Sequence, residues 1–403
     1  MFDYPFLDYK TITYCLIILI LFMFNLNRII KIYNWNFHVS YALFFWHTII
    51  FFITINLELH HIFSTDNLFF FELPLKKIEP IKLLYPGTTF LVEFVNILRQ
   101  LEFNYVSINF FFQCIGSLSL IIIYNCTNKI IFFKKSYYFF LIAIYFFLPS
   151  ISYWSSLISK DTITLFAMSL LIFYFIYNDK KMLLFSIITI LTVRPHFVFF
   201  ILIFFITIFF IKVMFRYEGL LKKFILIGFL YFFSMIVINL LLILSNIDKD
   251  IGLGFNVFLM FDNIMDLIGV MGKSYTDTNY AINSKFLPFR FLAYIFGPVM
   301  PQSQVLSLEI LWIIENFIII MVLFTFILEI KLANLKYHFP QKLSLLITVT
   351  LLLFFLSAVA SNFGITMRQK WPHVSLLVFT ICYLNLKKEN FLEITKSKKT
   401  RNI

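Results

Sequence analysis

The sequence predicts an all-α fold, a polytopic transmembrane helical bundle of about eleven spans with two larger outer loops and almost no soluble domain of its own. Three observations carry that class. Of the 403 residues, 61% are hydrophobic and only 13% charged, whereas a soluble chain needs about a quarter charged residues to cover its surface. The apolar residues fall into runs long enough to cross a hydrocarbon core, which takes about twenty residues in a helix. The segments between alternate runs are consistently basic, as cytoplasmic loops are.

Taken in order, the first run lies near Thr11 to Phe24. It lacks the basic leader and small-residue cleavage site of a secretory signal, and reads as a retained anchor near 11–25. Further spans are predicted near 38–55, 104–124, 136–150 and 161–177. The runs near 182–193 and 195–211 meet at Arg194-Pro195 and read as a helical hairpin. The last spans are predicted near 224–245, 306–328, 343–360 and 373–385. Between them, 56–103 and 246–305 are the two large outer loops, each with apolar pieces suited to re-entrant or interfacial helices. Residues 386–403 form a basic tail. No internal repeat or Gly/Ser linker divides the chain, so residues 1–403 read as a single integral membrane domain.

Lys and Arg set the orientation. With the N-terminus outside, about 20 basic and about 5 acidic residues fall inside, against about 13 and about 16 outside. Every inner segment is then basic, from Arg28-Lys31 through Lys129, Lys134 and Lys135 to the tail, and the C-terminus is cytoplasmic. The net charge of +12 therefore has a topological cause and meets anionic membrane lipid on the inner leaflet. No basic soluble domain or nucleic-acid signature is present, which excludes a nucleic-acid partner. Cys15, Cys114, Cys126 and Cys382 are scattered, with no metal-ligand spacing or disulfide framework. Neither a Walker A motif, a nucleotide-binding glycine fingerprint nor a His-Glu-x-x-His motif occurs, so no cofactor and no metal is expected.

Ionisable residues at span ends mark a site by default, and on this topology they gather on the outer face. Lys160 and Asp161 open the fifth span. Arg194-Pro195-His196 lies at the turn between the sixth and seventh. Arg290 closes the second large loop, and Arg368-Gln369-Lys370 precedes the last span. Cations here run against the topological bias. Several converging at an outer surface would bind an anionic group, most simply a phosphate or diphosphate, for which the planar fork of Arg is suited. Each has a structural alternative. Ser159 is placed to cap the fifth helix with Asp161 at its positive end, Lys160 can snorkel, His196 can be an interfacial histidine, and Arg368 and Lys370 can be interface anchors beside Trp371. Glu309 and Glu315 enter the ninth span, and Glu315, followed by Asn316, is the deeper of the two.

These pieces resemble a known family. Leu148-Pro149-Ser150-Ile151-Ser152-Tyr153-Trp154-Ser155-Ser156 with Ser159-Lys160-Asp161-Thr162-Ile163 is similar to a signature of bacterial Wzy-type O-antigen and capsular polysaccharide polymerases. Arg194-Pro195-His196 resembles a second element, Phe289-Arg290-Phe291 with Gly297-Pro298 a third, and Ser361-Asn362-Phe363-Gly364-Ile365 with Arg368-Gln369-Lys370 a fourth. Tyr85-Pro86-Gly87 sits where related proteins have a comparable turn. The set runs in order from Tyr85 to Leu384. It departs from the family where no Pro follows Arg290 directly, and in having about one span fewer than many such polymerases.

The resemblance implies a membrane glycosyltransferase of GT-C-like architecture in the bacterial inner membrane, its N-terminus periplasmic and C-terminus cytoplasmic. It implies transfer of a growing glycan from undecaprenyl diphosphate to the next lipid-linked repeat unit, with an undecaprenyl-diphosphate-linked oligosaccharide and a chain-length regulator protein as partners. On that reading Arg194, Arg368, Asp161 and His196 are catalytic. Lys160, Arg290 and Lys370 bind the diphosphate, and Glu315 is a further proton-transfer candidate. A ligase, another lipid-linked-sugar glycosyltransferase, an exporter of the same pathway and a non-enzymatic scaffold are the alternatives.

Overall fold

The computed structural model describes residues 8–59, 70–71, 86–131, 136–216, 228, 287–296, 306–330, 339–359 and 363–386. Every element among them is helical: α1 Tyr9–Tyr33, α2 Phe37–Leu59, α3 Thr88–Gln100, α4 Tyr105–Ile131, α5 Ser136–Phe146, α6 Pro149–Ser155, α7 Lys160–Tyr177, α8 Lys180–Val193, α9 Val198–Arg216, α10 Leu287–Phe296, α11 Leu306–Leu328, α12 Phe339–Val359 and α13 Phe363–Leu384. Six of the described helices are long and apolar enough to cross a membrane, or seven if the bent pair α5–α6 is one span. The protein is a helical, multi-pass membrane protein. The run near 224–245 and most of 246–305 lie outside the described residues.

Caps end the helices where the sequence supplies them. Asn34 and Asn178, with φ 51° and 50°, close α1 and α7 in the left-handed conformation that Asn tolerates. Asp8 accepts from the Thr11 amide at 2.6 Å, and Asp179 from the Lys181 amide at 3.0 Å. The run expected as one span near 136–150 breaks at Phe147-Leu148, where Pro149 starts α6, and α5 and α6 bend by 42°. Proline favours the first turn of a helix because its missing N–H has no partner there anyway.

The contacts divide the chain into two units. One comprises residues 1–198, 295–337 and 367–403, the other 199–294 and 338–366. The first unit is built on α4 and α7. In each, 83% of the most apolar window is buried, against 11% for α1. Helix α4 packs on α1, α2 and α7, and α7 on α8. Its buried polar side chains tie these neighbours together, as expected where no water competes. The Asn125 amide donates to Ser40 Oγ at 3.0 Å and its carbonyl accepts from the Asn36 amide at 3.0 Å. Gln113 donates to Thr48 Oγ1 at 2.8 Å. Asn109 accepts from the Ile158 amide at 2.9 Å, which pins the irregular link between α6 and α7 to α4. In the second unit, Phe200 and Phe291 meet Phe355 and Phe354 of α12, with ring centroids 5.6 and 6.4 Å apart.

Candidate anion site

Helix α7 starts as its sequence predicts. Ser159 is extended and its hydroxyl accepts from the Thr162 amide at 3.0 Å, an N-cap geometry. Asp161, 3% exposed, does not end its contacts at the helix terminus. Its Oδ1 accepts from Arg194 Nη2, and its Oδ2 lies 3.0 Å from Arg368 Nε. One carboxylate thus holds an arginine from the end of α8 and another from the first turns of α13.

Proline creates the bend that delivers Arg194. A residue before proline is pushed out of the helical region, and Arg194 sits at φ −142°, ψ 72° as the C-cap of α8. A single 3₁₀ turn, Pro195–Phe197, follows before α9 begins. The Arg194 guanidinium lies 5.4 Å from the Phe197 ring centroid, and that ring stands edge-on to His373 of α13 at 5.0 Å. Held between a carboxylate and an aromatic face, the Arg194 side chain is only 9% exposed, whereas that of Arg368 is 23% exposed. The two arginines are therefore not equivalent. Arg194 is a buried support and Arg368 reaches the surface.

Lys160 belongs to the same rim. It is half-buried, and its ammonium donates to Thr88 Oγ1, the first residue of α3, at 2.9 Å. The turn before α3 is fixed by Gly87, whose φ of 87° suits glycine and whose amide donates to the Thr192 carbonyl at 2.9 Å. Part of the Tyr85-Pro86-Gly87 piece, read in the sequence as a turn, is thereby seated beside the end of α8. Asp161 thus pairs with two of the cations, Arg194 and Arg368, and Lys160 is the residue before it at the start of α7. Guanidinium and ammonium groups so placed are chemically suited to an anion such as a phosphate.

Lys370 lies elsewhere. It is two residues past Arg368, hence on nearly the opposite side of the helix, and it is fully buried. Its ammonium donates to Asn316 Oδ1 at 2.6 Å and lies 4.9 Å from the Trp371 ring. Glu315, 1% exposed, accepts from the Ser150 amide at 2.9 Å through Oε1. Its Oε2 is buried and makes no hydrogen bond among the described residues. Lys370 and Glu315 thus form a second, interior polar cluster. The side chains of His196, Arg290 and Glu309 lie outside the described residues. Their backbones place His196 in the turn after Arg194, Arg290 on α10 and Glu309 in the first turn of α11.

Comparison with protein-family models, with curated proteins and with solved structures finds no match. The chemistry has to follow from the geometry. Thr88 and Phe197 act at these two clusters without any motif of their own. Ser150 lies within the Leu148–Ser156 run singled out in the sequence, and Asn316 carried a signal as an amide beside a carboxylate inside an apolar run.

Proposed function

We propose that this protein is a polysaccharide polymerase of the Wzy type in the bacterial inner membrane. It transfers a growing O-antigen or capsular glycan from undecaprenyl diphosphate onto the next lipid-linked repeat unit. The supporting observation is the pairing of Arg194 and Arg368 with the one carboxylate of Asp161, beside Lys160 at the start of α7. Cationic side chains so placed suit an anion, and the substrate's diphosphate is one. In this reading the chain forms about eleven spans in a GT-C-like arrangement, with the N-terminus periplasmic and the C-terminus cytoplasmic.

In this reaction a hydroxyl of the acceptor sugar attacks the anomeric carbon. The bond from that carbon to the diphosphate oxygen breaks, the electron pair leaves with the diphosphate, and the hydroxyl proton passes to a base. Arg368 and Lys160, the more accessible cations, take the developing charge. Removing one such preplaced donor typically costs about 2.7–4 kcal/mol of barrier, roughly 100- to 1000-fold in rate. Arg194 and Asp161 hold Arg368 in place. Both oxygens of Asp161 already face guanidinium groups, so in this reading Asp161 is a positioning residue. The proton then falls to His196 in the adjoining turn.

The test is the lipopolysaccharide or capsule ladder after deletion of the gene and its restoration. Single repeat units on the acceptor with the ladder gone is the expected result. Intact polymer that never reaches its acceptor would instead mean a ligase. Repeats trapped on the cytoplasmic side would mean an exporter and would remove the reading.

A further inference from the structure

The anion site is carried on two segments, which meet within the site through the Asp161–Arg368 pair. Lys160 and Asp161 follow α6 after a link of four residues, 156–159. Arg368 lies in the first turns of α13, where the helix is weakened. Pro372 has no N–H to give the carbonyl of Arg368, four residues earlier. The carbonyl of Gln369 also accepts from the side chain of His373, through Nδ1 at 2.7 Å. The backbone bond from residue 372 to the Arg368 carbonyl is therefore missing, so side-chain contacts contribute to placing Arg368.

Two adjacent side chains of α11 reach these two segments. Glu315 accepts from the Ser150 amide in the first turn of α6, and Asn316 accepts from Lys370 on α13. Glu315, Asn316 and Lys370 are 1%, 3% and 0% exposed. The ties lie in the dry interior, where no water replaces a broken bond. Helix α11 is one of the six helices long and apolar enough to cross a membrane, and Glu315 is the one ionisable residue in its stretch from Ile310 to Leu328. Burying that carboxylate in such a helix, and the Lys370 ammonium in its neighbour α13, is costly unless they do something.

We propose that Glu315 and Asn316 are positioning residues that set the separation of the two halves of the anion site. Glu315 holds the segment leading to Lys160 and Asp161, while Asn316, through Lys370, holds Arg368. Neither touches the ligand. The inference rests on the reading of the Lys160–Asp161–Arg194–Arg368 group as a diphosphate site.

The test is binding of inorganic pyrophosphate to the full chain in lipid nanodiscs, by calorimetry, beside each variant's thermal midpoint. The informative variant is Glu315→Gln with Lys370→Met. It removes one charge of each sign, so the long-range field at the anion site is kept while the tie between α11 and α13 is cut. Its pyrophosphate affinity should fall about tenfold or more with an unfolding midpoint near that of the wild type. Lys370→Arg, which keeps a donor for Asn316, should bind within about twofold of the wild type. If the double variant does not fold, Glu315→Gln and Glu315→Ala replace it. The amide still accepts from Ser150 and should keep the affinity, and the alanine should lose about tenfold. Wild-type affinity in the double variant, or in Glu315→Ala, overturns this inference and leaves the anion site standing, provided Arg368→Ala has lost binding. A wild-type protein that binds no pyrophosphate, or an Arg368→Ala variant that binds it undiminished, overturns the site and the inference together.

Discussion

Removing the Asp161 carboxylate tests the buried pair through stability and the holding of Arg368 through activity. Asp161 is 3% exposed and Arg194 7%, so the pair is interior. Truncating one member of a buried pair leaves an unpaired charge and costs about 3–5 kcal/mol, whereas replacing both with apolar residues of similar volume is often neutral. Asp161→Ala should therefore lower stability by about 3–5 kcal/mol, since it strands Arg194. Arg368, whose side chain is 23% exposed, can turn to water and adds less. The double variant Asp161→Leu, Arg194→Met should recover most of that loss. It should nevertheless make no long polymer, because Arg368 has lost its anchor. The assay is the unfolding midpoint of the purified protein in detergent, beside the polysaccharide ladder of a complemented deletion strain. An Asp161→Ala variant as stable as the wild type would refute the buried pair. Normal ladders from the double variant would refute its role in holding Arg368.

Four further outcomes follow from particular contacts. A methyl group on Gly116 of α4 would stand 2.0 Å from the Ser155 carbonyl oxygen and 2.9 Å from His47 Nε2. Gly116→Ala should therefore destabilise by about 1–3 kcal/mol in an unfolding titration, although alanine alone favours a helix by about 0.5–1 kcal/mol. Arg368→Ala should leave a folded, inserted protein and shorten or abolish the ladder, with a loss of about 100-fold or more in polymerisation rate in vesicles. Ser159→Ala removes the cap of α7 and should cost about 1 kcal/mol, read as a lower thermal midpoint, while Ser159→Asp should retain most of it. The bonds from Thr11 hold the Asp8 carboxyl below its usual value of 3.8. The stabilisation is then complete above that value and is lost as pH falls through the lower folded value. Hydrogen exchange at the Thr11 amide should accordingly speed up below about pH 4 relative to its intrinsic rate, and not between pH 5 and 8.

The helical class and the places of several apolar helices were legible in the sequence because both follow from local composition, whereas the break at Phe147-Leu148 and the start of α13 at Phe363 were not. A helix in lipid satisfies its own backbone, so an apolar run is enough to predict it. The runs near 104–124 and 161–177 accordingly appear as α4 and α7. Ser159 as a cap and Arg194-Pro195 as a break are likewise local chemistry. The sequence singles out Lys160, Asp161, Arg194 and Arg368 as charged residues beside apolar runs, and the structure brings Arg194 and Arg368 onto Asp161. How they divide the work was not legible there. The sequence treats Arg194 and Arg368 alike, and only packing buries one between Asp161 and Phe197 and leaves the other at the surface. It likewise groups Lys370 with Arg368, although a helix turns about 100° per residue and carries two residues so spaced to nearly opposite sides. Nor does a sequence state that Glu315 and Asn316 reach Ser150 and Lys370, 165 and 54 residues away along the chain. Composition fixes what each segment is, because burial in lipid acts on each residue separately. Which side chains meet depends on distances between helices, and those exist only once the bundle has packed.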